Sequence, residues 1–172
     1  MIHEDDVIAA AARLGGRLRE VGWSVATVES CTGGLIACAL TETAGSSAWF
    51  DRGFVTYSNE SKTDLVGVLP TTLHSHGAVS EPTAREMARG GLEHSRARLA
   101  MSVTGIAGPG GAVPGKPVGT VCFGWAARLE DGRTLERVET VLFDGGRSEV
   151  RRAAALHALA QALSILSAET KD

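Results

Sequence analysis

Apolar residues recur at three- and four-residue intervals through Val7, Ala11, Leu14, Leu18 and Val21, which predicts an amphipathic first helix ended by Gly22. Residues 23–28 are mostly apolar and read as a strand. A second helix, rich in Leu, Ile and Ala, is expected over about residues 32–42, followed by a loop of small residues over 43–47. Residues 50–57 give another strand, terminated by Ser58-Asn59. Ser80-Glu81-Pro82 marks a helix start, because a proline in the first turn lacks an N–H that would have no helical partner there. Ala84, Met87, Ala88, Gly91 and Leu92 then fall on one face. Residues 99–103 form a short apolar strand, and residues 118–129 and 134–143 form two more around Asp131-Gly132, a strong hairpin signal. A last helix after Gly145-Gly146 carries Val150, Leu156, Leu159, Ala160, Leu163 and Leu166. Helices alternating with strands, and a hairpin near the end, predict an α/β fold: one domain over residues 1–172, three-layer αβα, with a mixed β-sheet and a late β-hairpin.

Composition narrows the function classes. The chain has 172 residues, 44% of them hydrophobic, and a net charge of −3 without a basic run. That does not support a nucleic-acid surface, which needs concentrated positive charge. No apolar run approaches the roughly 20 residues of a membrane span, and the amino end is acidic where a signal peptide would be positive. A cytoplasmic protein is expected. The three cysteines, Cys31, Cys38 and Cys122, form no C-x-x-C pair and no disulfide framework. Cys38 and Cys122 lie in apolar stretches and are expected to be buried, whereas Cys31 sits at a possible helix start, where a thiolate is favoured.

Four segments could carry chemistry. In the first, a strand runs straight into Ser30, with Cys31, Thr32, Gly33 and Gly34 after it. A hydroxyl at the end of a strand and the start of a helix can attack a carbonyl while nearby amides hold the oxyanion; the plain alternative is an ordinary turn with Ser30 or Thr32 as N-cap. In the second, Tyr57 precedes Lys62 by five residues. A lysine is a general base only if burial or a neighbouring charge lowers its pKa, and otherwise it is a solvated surface charge. The third is the long loop over 104–117, with five glycines and three prolines, including Thr104, Gly105, Ile106, Ala107 and Gly108. It matches neither common nucleotide-loop fingerprint, yet its amides can line an anion-binding concavity. The fourth is Arg147 after Gly145-Gly146, where a guanidinium and free amides suit a phosphate or carboxylate; Arg147, Arg151 and Arg152 can equally be exposed, with Arg151 paired to a nearby acid. His74-Ser75-His76 has a metal-ligand spacing, but no acidic or cysteine partner completes a site nearby, so no metal is expected.

Together the segments resemble one family. Glu29-Ser30-Cys31-Thr32-Gly33-Gly34, Tyr57-Ser58-Asn59 with Lys62, Gly77-Ala78-Val79-Ser80, Val103-Thr104-Gly105-Ile106-Ala107-Gly108-Pro109 with Lys116-Pro117-Val118-Gly119-Thr120, and Gly146-Arg147 with Val150-Arg151 occur in this order. The chain resembles the CinA carboxyl-terminal domain family, whose members include nicotinamide mononucleotide deamidases, over about residues 7–166. The resemblance implies an amidohydrolase that converts nicotinamide mononucleotide to nicotinate mononucleotide and ammonia. It implies Ser30 as nucleophile with Lys62 and Tyr57 assisting, a substrate site built from Cys31, Thr32, Gly33, Gly34, the loop from Thr104 through Gly108, and Arg147, and no cofactor. It also implies the stand-alone form, without the amino-terminal domain of longer members, and a homo-oligomer, a dimer being favoured. Partners are then a small nucleotide substrate, with no nucleic acid and no membrane.

Three other readings remain open on the sequence. A non-catalytic nucleotide-binding or regulatory module of the same fold would bind ligand without releasing ammonia. An oxidoreductase using Tyr57 and Lys62 as a proton relay lacks a dinucleotide fingerprint. A cysteine amidase would act through Cys31.

Overall fold

In the computed structural model, which describes residues 2–170, the chain runs α1 (Glu4–Glu20), β1 (Val25–Glu29), α2 (Leu35–Thr41), β2 (Phe50–Val55), α3 (Asn59–Val66), α4 (Pro70–His76), α5 (Glu81–Glu93), β3 (Leu99–Gly105), β4 (Thr120–Arg128), β5 (Thr134–Leu142) and α6 (Arg147–Glu169). The five strands form one sheet in the order β2-β1-β3-β4-β5. β1 is parallel to both β2 and β3, while β4 is antiparallel to β3 and β5 to β4. The expected mixed sheet and late hairpin are therefore present, the hairpin turning through Gly132 at φ +83.

Strand alternation sorts side chains by size between the two faces. Val25, Leu99, Met101, Val103, Val121, Phe123 and Trp125 join the main core with α1, α2 and α6. The opposite face presents Ala26, Ala100 and Ala126 to α5. A Cβ on Gly124 would collide with the Ala84 carbonyl, and one on Gly91 with Val28, so α5 lies close to the sheet because the facing residues are small. Helix α3 is held as tightly: a Cβ on Gly90 of α5 would collide with the Val66 carbonyl at its end.

Strand direction places the site. β2, β1, β3 and β5 all run the same way, so the chain leaves the sheet four times at one edge. In register, Glu29 faces Val103, which sets Ser30 and Thr104 side by side just beyond the last parallel pair of β1 and β3. The segment after β2 and the start of α6 emerge at this same edge. Ligands of open α/β sheets collect outside the carboxyl ends of strands.

Several expected elements shift. α2 starts at Leu35 rather than near 32, because Gly33 and Gly34 adopt left-handed φ of +61 and +96 and cannot continue a helix. Two short helices, α3 and α4, fill the stretch between Ser58 and Gly77. β4 begins at Thr120 rather than 118, since the Thr120 amide donates to Pro117 O at 3.1 Å in a turn. Cys122 is buried as expected, but Cys38 is exposed, lying on the outer side of short α2.

Candidate active site

Ser30 closes β1, and its amide donates to Val103 O at 2.9 Å, tying it to the neighbouring strand. Its side chain is nearly buried and lines a cavity of about 210 Å³ with Cys31, Tyr57, Lys62, Thr104 and Arg147. Asn59, Ala78, Val79, Gly105 and Ala107 complete the wall. The sequence reading did not single out Asn59 as a site residue; its position two residues after Tyr57 was the available signal.

Lys62 is fully buried, 1% exposed. It reaches the site because Ser58 caps α3: the Ser61 amide donates to Ser58 Oγ and the Ser58 amide to Ser61 Oγ, both at 3.0 Å. Lys62 then sits in the first turn, pointing back toward the end of β2. Its Nζ lies 3.2 Å from Ser30 Oγ and donates to Thr56 O at 2.9 Å, with the Tyr57 and Ser58 carbonyls at 3.4 and 3.5 Å. Burial pushes the Lys62 pKa below the ordinary lysine value; the nearby Cys31 and Glu60 act in the opposite sense and are outweighed.

The Tyr57 phenol stands at the mouth, 59% exposed. Arg147 donates to its hydroxyl at 3.1 Å and to Gly108 O at 2.9 Å, so one guanidinium bridges the two sides of the entrance. Tyr57 meets Lys62 through its carbonyl, and the phenol meets Arg147 instead. Thr104 is buried, and its hydroxyl donates to Ala78 O at 2.8 Å, pinning the loop that carries Ala78 and Val79. Ile106 and Gly108 stand behind the lining: the Ile106 amide donates to Thr120 O at 2.9 Å, and Gly108 supplies its carbonyl to Arg147.

The turn over 30–34 corrects the sequence reading. The amides expected to hold an oxyanion were those of Thr32, Gly33 and Gly34. In the structure the Gly33 amide donates to Ser30 O at 3.0 Å, and the Gly34 amide to the buried Glu29 carboxylate at 3.0 Å. Glu29 also accepts from the Ile36 and Ala37 amides at 3.1 and 2.8 Å, so a side chain of the preceding strand caps α2. Among the described residues, the Cys31 and Thr32 amides are the two in this turn that donate to no acceptor in another residue. Arg151, expected to be exposed or paired with an acid, instead donates to Cys31 O at 3.1 Å and Thr32 O at 2.8 Å.

Cys31 is a poor thiolate. Burial pushes its thiol up to about 11, with Glu29 adding to the rise; its own backbone amide, Arg151 and Lys62 pull the other way and lose. The expected helix-start activation fails because the helix begins four residues later, at Leu35. With Cys31 buried and Cys38 exposed, iodoacetamide near pH 7.5 should label Cys38 well before Cys31, as read by peptide mass spectrometry. Equal labelling of both would overturn this account of the thiol.

Among the described residues, no group of three or more His, Cys, Asp or Glu side chains could hold a metal ion. Among the same residues no helix is long and apolar enough to cross a membrane.

A serine, a buried amine within hydrogen-bond reach and two amides without an acceptor in another residue are the parts of an acyl-transfer centre. Known proteins share the sequence and the fold of this chain. The family model described as the CinA C-terminal domain matches residues 8–166. A protein named nicotinamide-nucleotide amidohydrolase PncC from Enterobacter agglomerans is 53% identical over 153 residues, covering 89% of this chain and 91% of that protein. The protein of the same name from Escherichia coli K12 is 48% identical over 156 residues, covering 91% and 92%. The crystal structure of the competence/damage inducible protein CihA from Agrobacterium tumefaciens superposes with a TM-score of 0.85 at 49% identity, covering 94% of this chain and 96% of that one.

Proposed function

The chain belongs to the CinA C-terminal domain family, and from that premise we propose that it is a serine amidohydrolase that converts nicotinamide mononucleotide to nicotinate mononucleotide and ammonia. The observation that carries the chemistry is the buried Lys62 Nζ, 3.2 Å from Ser30 Oγ inside the cavity. The substrate class rests on the names of the amidohydrolase relatives.

In this reading neutral Lys62 offers its lone pair to the Ser30 hydroxyl and takes its proton as Oγ attacks the carboxamide carbon. The Cys31 and Thr32 amides hold the oxyanion. Collapse of the tetrahedral intermediate breaks the C–N bond, and the proton held by Lys62 leaves with the nitrogen as ammonia. Water, deprotonated by the same amine, then hydrolyses the acyl-Ser30 ester and restores the hydroxyl. Tyr57 assists through both its ends, its carbonyl steadying the amine and its phenol steadying Arg147. The cavity takes the carboxamide end of the substrate, and the Arg147 guanidinium at the mouth faces its phosphate. A cytoplasmic, homo-oligomeric protein, with a dimer favoured, fits the resemblance in sequence.

The test is ammonia release from nicotinamide mononucleotide, with free nicotinamide as the comparison amide. Turnover of the nucleotide, with the free base at least about 100-fold slower in kcat/KM, is the expected result. A folded protein that is stabilised by the nucleotide yet releases no ammonia would instead be the binding module.

A further inference from the structure

The hydrogen bonds of the 30–34 turn form a closed chain, and one side chain from a distant helix holds it. Arg151 donates to Cys31 O. That carbonyl shares a rigid peptide plane with the Thr32 N–H, so fixing one fixes the direction of the other. Arg151 also donates to Thr32 O, which shares a plane with the Gly33 N–H. The Gly33 amide in turn donates to Ser30 O, and that carbonyl shares a plane with the Cys31 N–H. Two bonds from one guanidinium therefore fix, directly and by relay, both amides that have no acceptor in another residue.

Arg151 is half-buried and forms no ion pair with a carboxylate among the described residues. A planar fork of donors facing two successive carbonyls suits the rigid guanidinium and not the single ammonium of lysine. Arg147 and Arg151 stand one helical turn apart on α6, so the same face of that helix serves the mouth of the cavity and the turn beneath it. Their roles differ: Arg147 lines the cavity and Arg151 does not.

We propose that Arg151 is a positioning residue for the hydrolysis, holding the Cys31 and Thr32 peptide planes so that their amides receive the oxyanion of the attacked carbonyl. It contributes to the transition state and not to ground-state binding. This rests on the acyl-transfer reading above, but not on the identity of the nucleotide.

The experiment compares wild type, Arg151→Ala, Arg151→Lys and Arg147→Ala on two substrates. One is nicotinamide mononucleotide; the other is p-nitrophenyl acetate, which needs the nucleophile and the oxyanion site but not the nucleotide. For Arg151→Ala, kcat is expected to fall about 10²-fold on both substrates, the scale of losing an oxyanion donor, with KM for the nucleotide within about threefold. Methylguanidinium at tens of millimolar should restore part of that kcat, and equal sodium chloride should not. Arg151→Lys, which keeps the charge and one donor, should lie between, and it carries the test if the alanine variant fails to fold. Arg147→Ala, at the mouth of the cavity, should instead raise KM for the nucleotide. Loss confined to KM, unchanged kcat in Arg151→Ala, or no difference between methylguanidinium and salt would each overturn the proposal. Ester hydrolysis that depends on Arg151, without nucleotide turnover, would sink the substrate assignment and leave the positioning role standing. No turnover of either substrate would overturn both.

Discussion

Ser30→Ala is expected to cut ammonia release from nicotinamide mononucleotide by at least about 10³-fold while leaving nucleotide binding intact. Removing the nucleophile of a serine hydrolase eliminates the covalent route, and only the residual effect of binding and oxyanion contacts survives. Here nothing nearby can replace it. Cys31 is adjacent, but burial keeps its thiol protonated at neutral pH. The substitution should be structurally mild, because Lys62 Nζ keeps the Thr56 carbonyl at 2.9 Å when the hydroxyl is lost. A saturating nucleotide should therefore raise the Tm of the variant as much as that of wild type, with about 2.7 kcal/mol of stabilisation at 100 times Kd. Intact binding with lost turnover would separate the enzyme from a binding module in one protein. Near-normal deamidation by Ser30→Ala would sink the mechanism.

The second large effect concerns Lys62 and pH. The amine accepts the serine proton only when it is neutral, so kcat/KM should rise with pH through the Lys62 pKa and level off above it. Burial lowers that pKa, so the limb should lie below the ordinary lysine value of about 10.4. Lys62→Met should abolish the limb and lower kcat by about 10²–10⁴-fold, the usual weight of a general base. Stability should follow the same group. A lysine whose folded pKa is depressed binds fewer protons folded than unfolded between the two values, so stability rises with pH across that window. Below the folded pKa both states are charged, and the folded state carries the full cost of burying the ammonium. Urea unfolding of wild type from pH 7 to 10.5 should show this rise, and Lys62→Met should flatten it. A wild-type rate profile without an alkaline rise would exclude Lys62 as the base.

Much of the fold was legible because its signals are local. The period of Val7, Ala11, Leu14 and Leu18 marks α1, and Asp131-Gly132 marks the β4–β5 turn. The start of α2 was misplaced because its cap is not local in the usual sense: Glu29 lies in the strand before the turn and accepts from amides five to eight residues onward. Around Lys62 the sequence left a turn or a helix open, and α4 was missed, although α3 and α4 each carry a start signal, the Ser58/Ser61 capping pair and Pro70 in the first turn. Cys38 was expected inside because its neighbours are apolar, but on so short a helix that composition does not fix which side faces water. Ser30 and Lys62 were legible as candidates, while their proximity was legible only through resemblance to a family. Arg151 was open between solvent and an acid, since backbone carbonyls as partners leave no mark in a sequence.

That last contact also orders events in the life of the chain. Arg151 meets carbonyls 120 and 119 residues earlier, whereas Lys62 meets a hydroxyl only 32 residues away. Contacts of such separation close late, after the intervening strands have paired, and α6 leaves the ribosome after every other element described here. A nascent chain thus brings its serine and amine together well before the guanidinium arrives. Until α6 docks, the turn after Ser30 lacks the two guanidinium bonds to the Cys31 and Thr32 carbonyls. If Arg151 positions the turn as proposed, completion of the last helix doubles as the arming step, and a chain that stalls short of it carries a quiet serine rather than an indiscriminate acylating one.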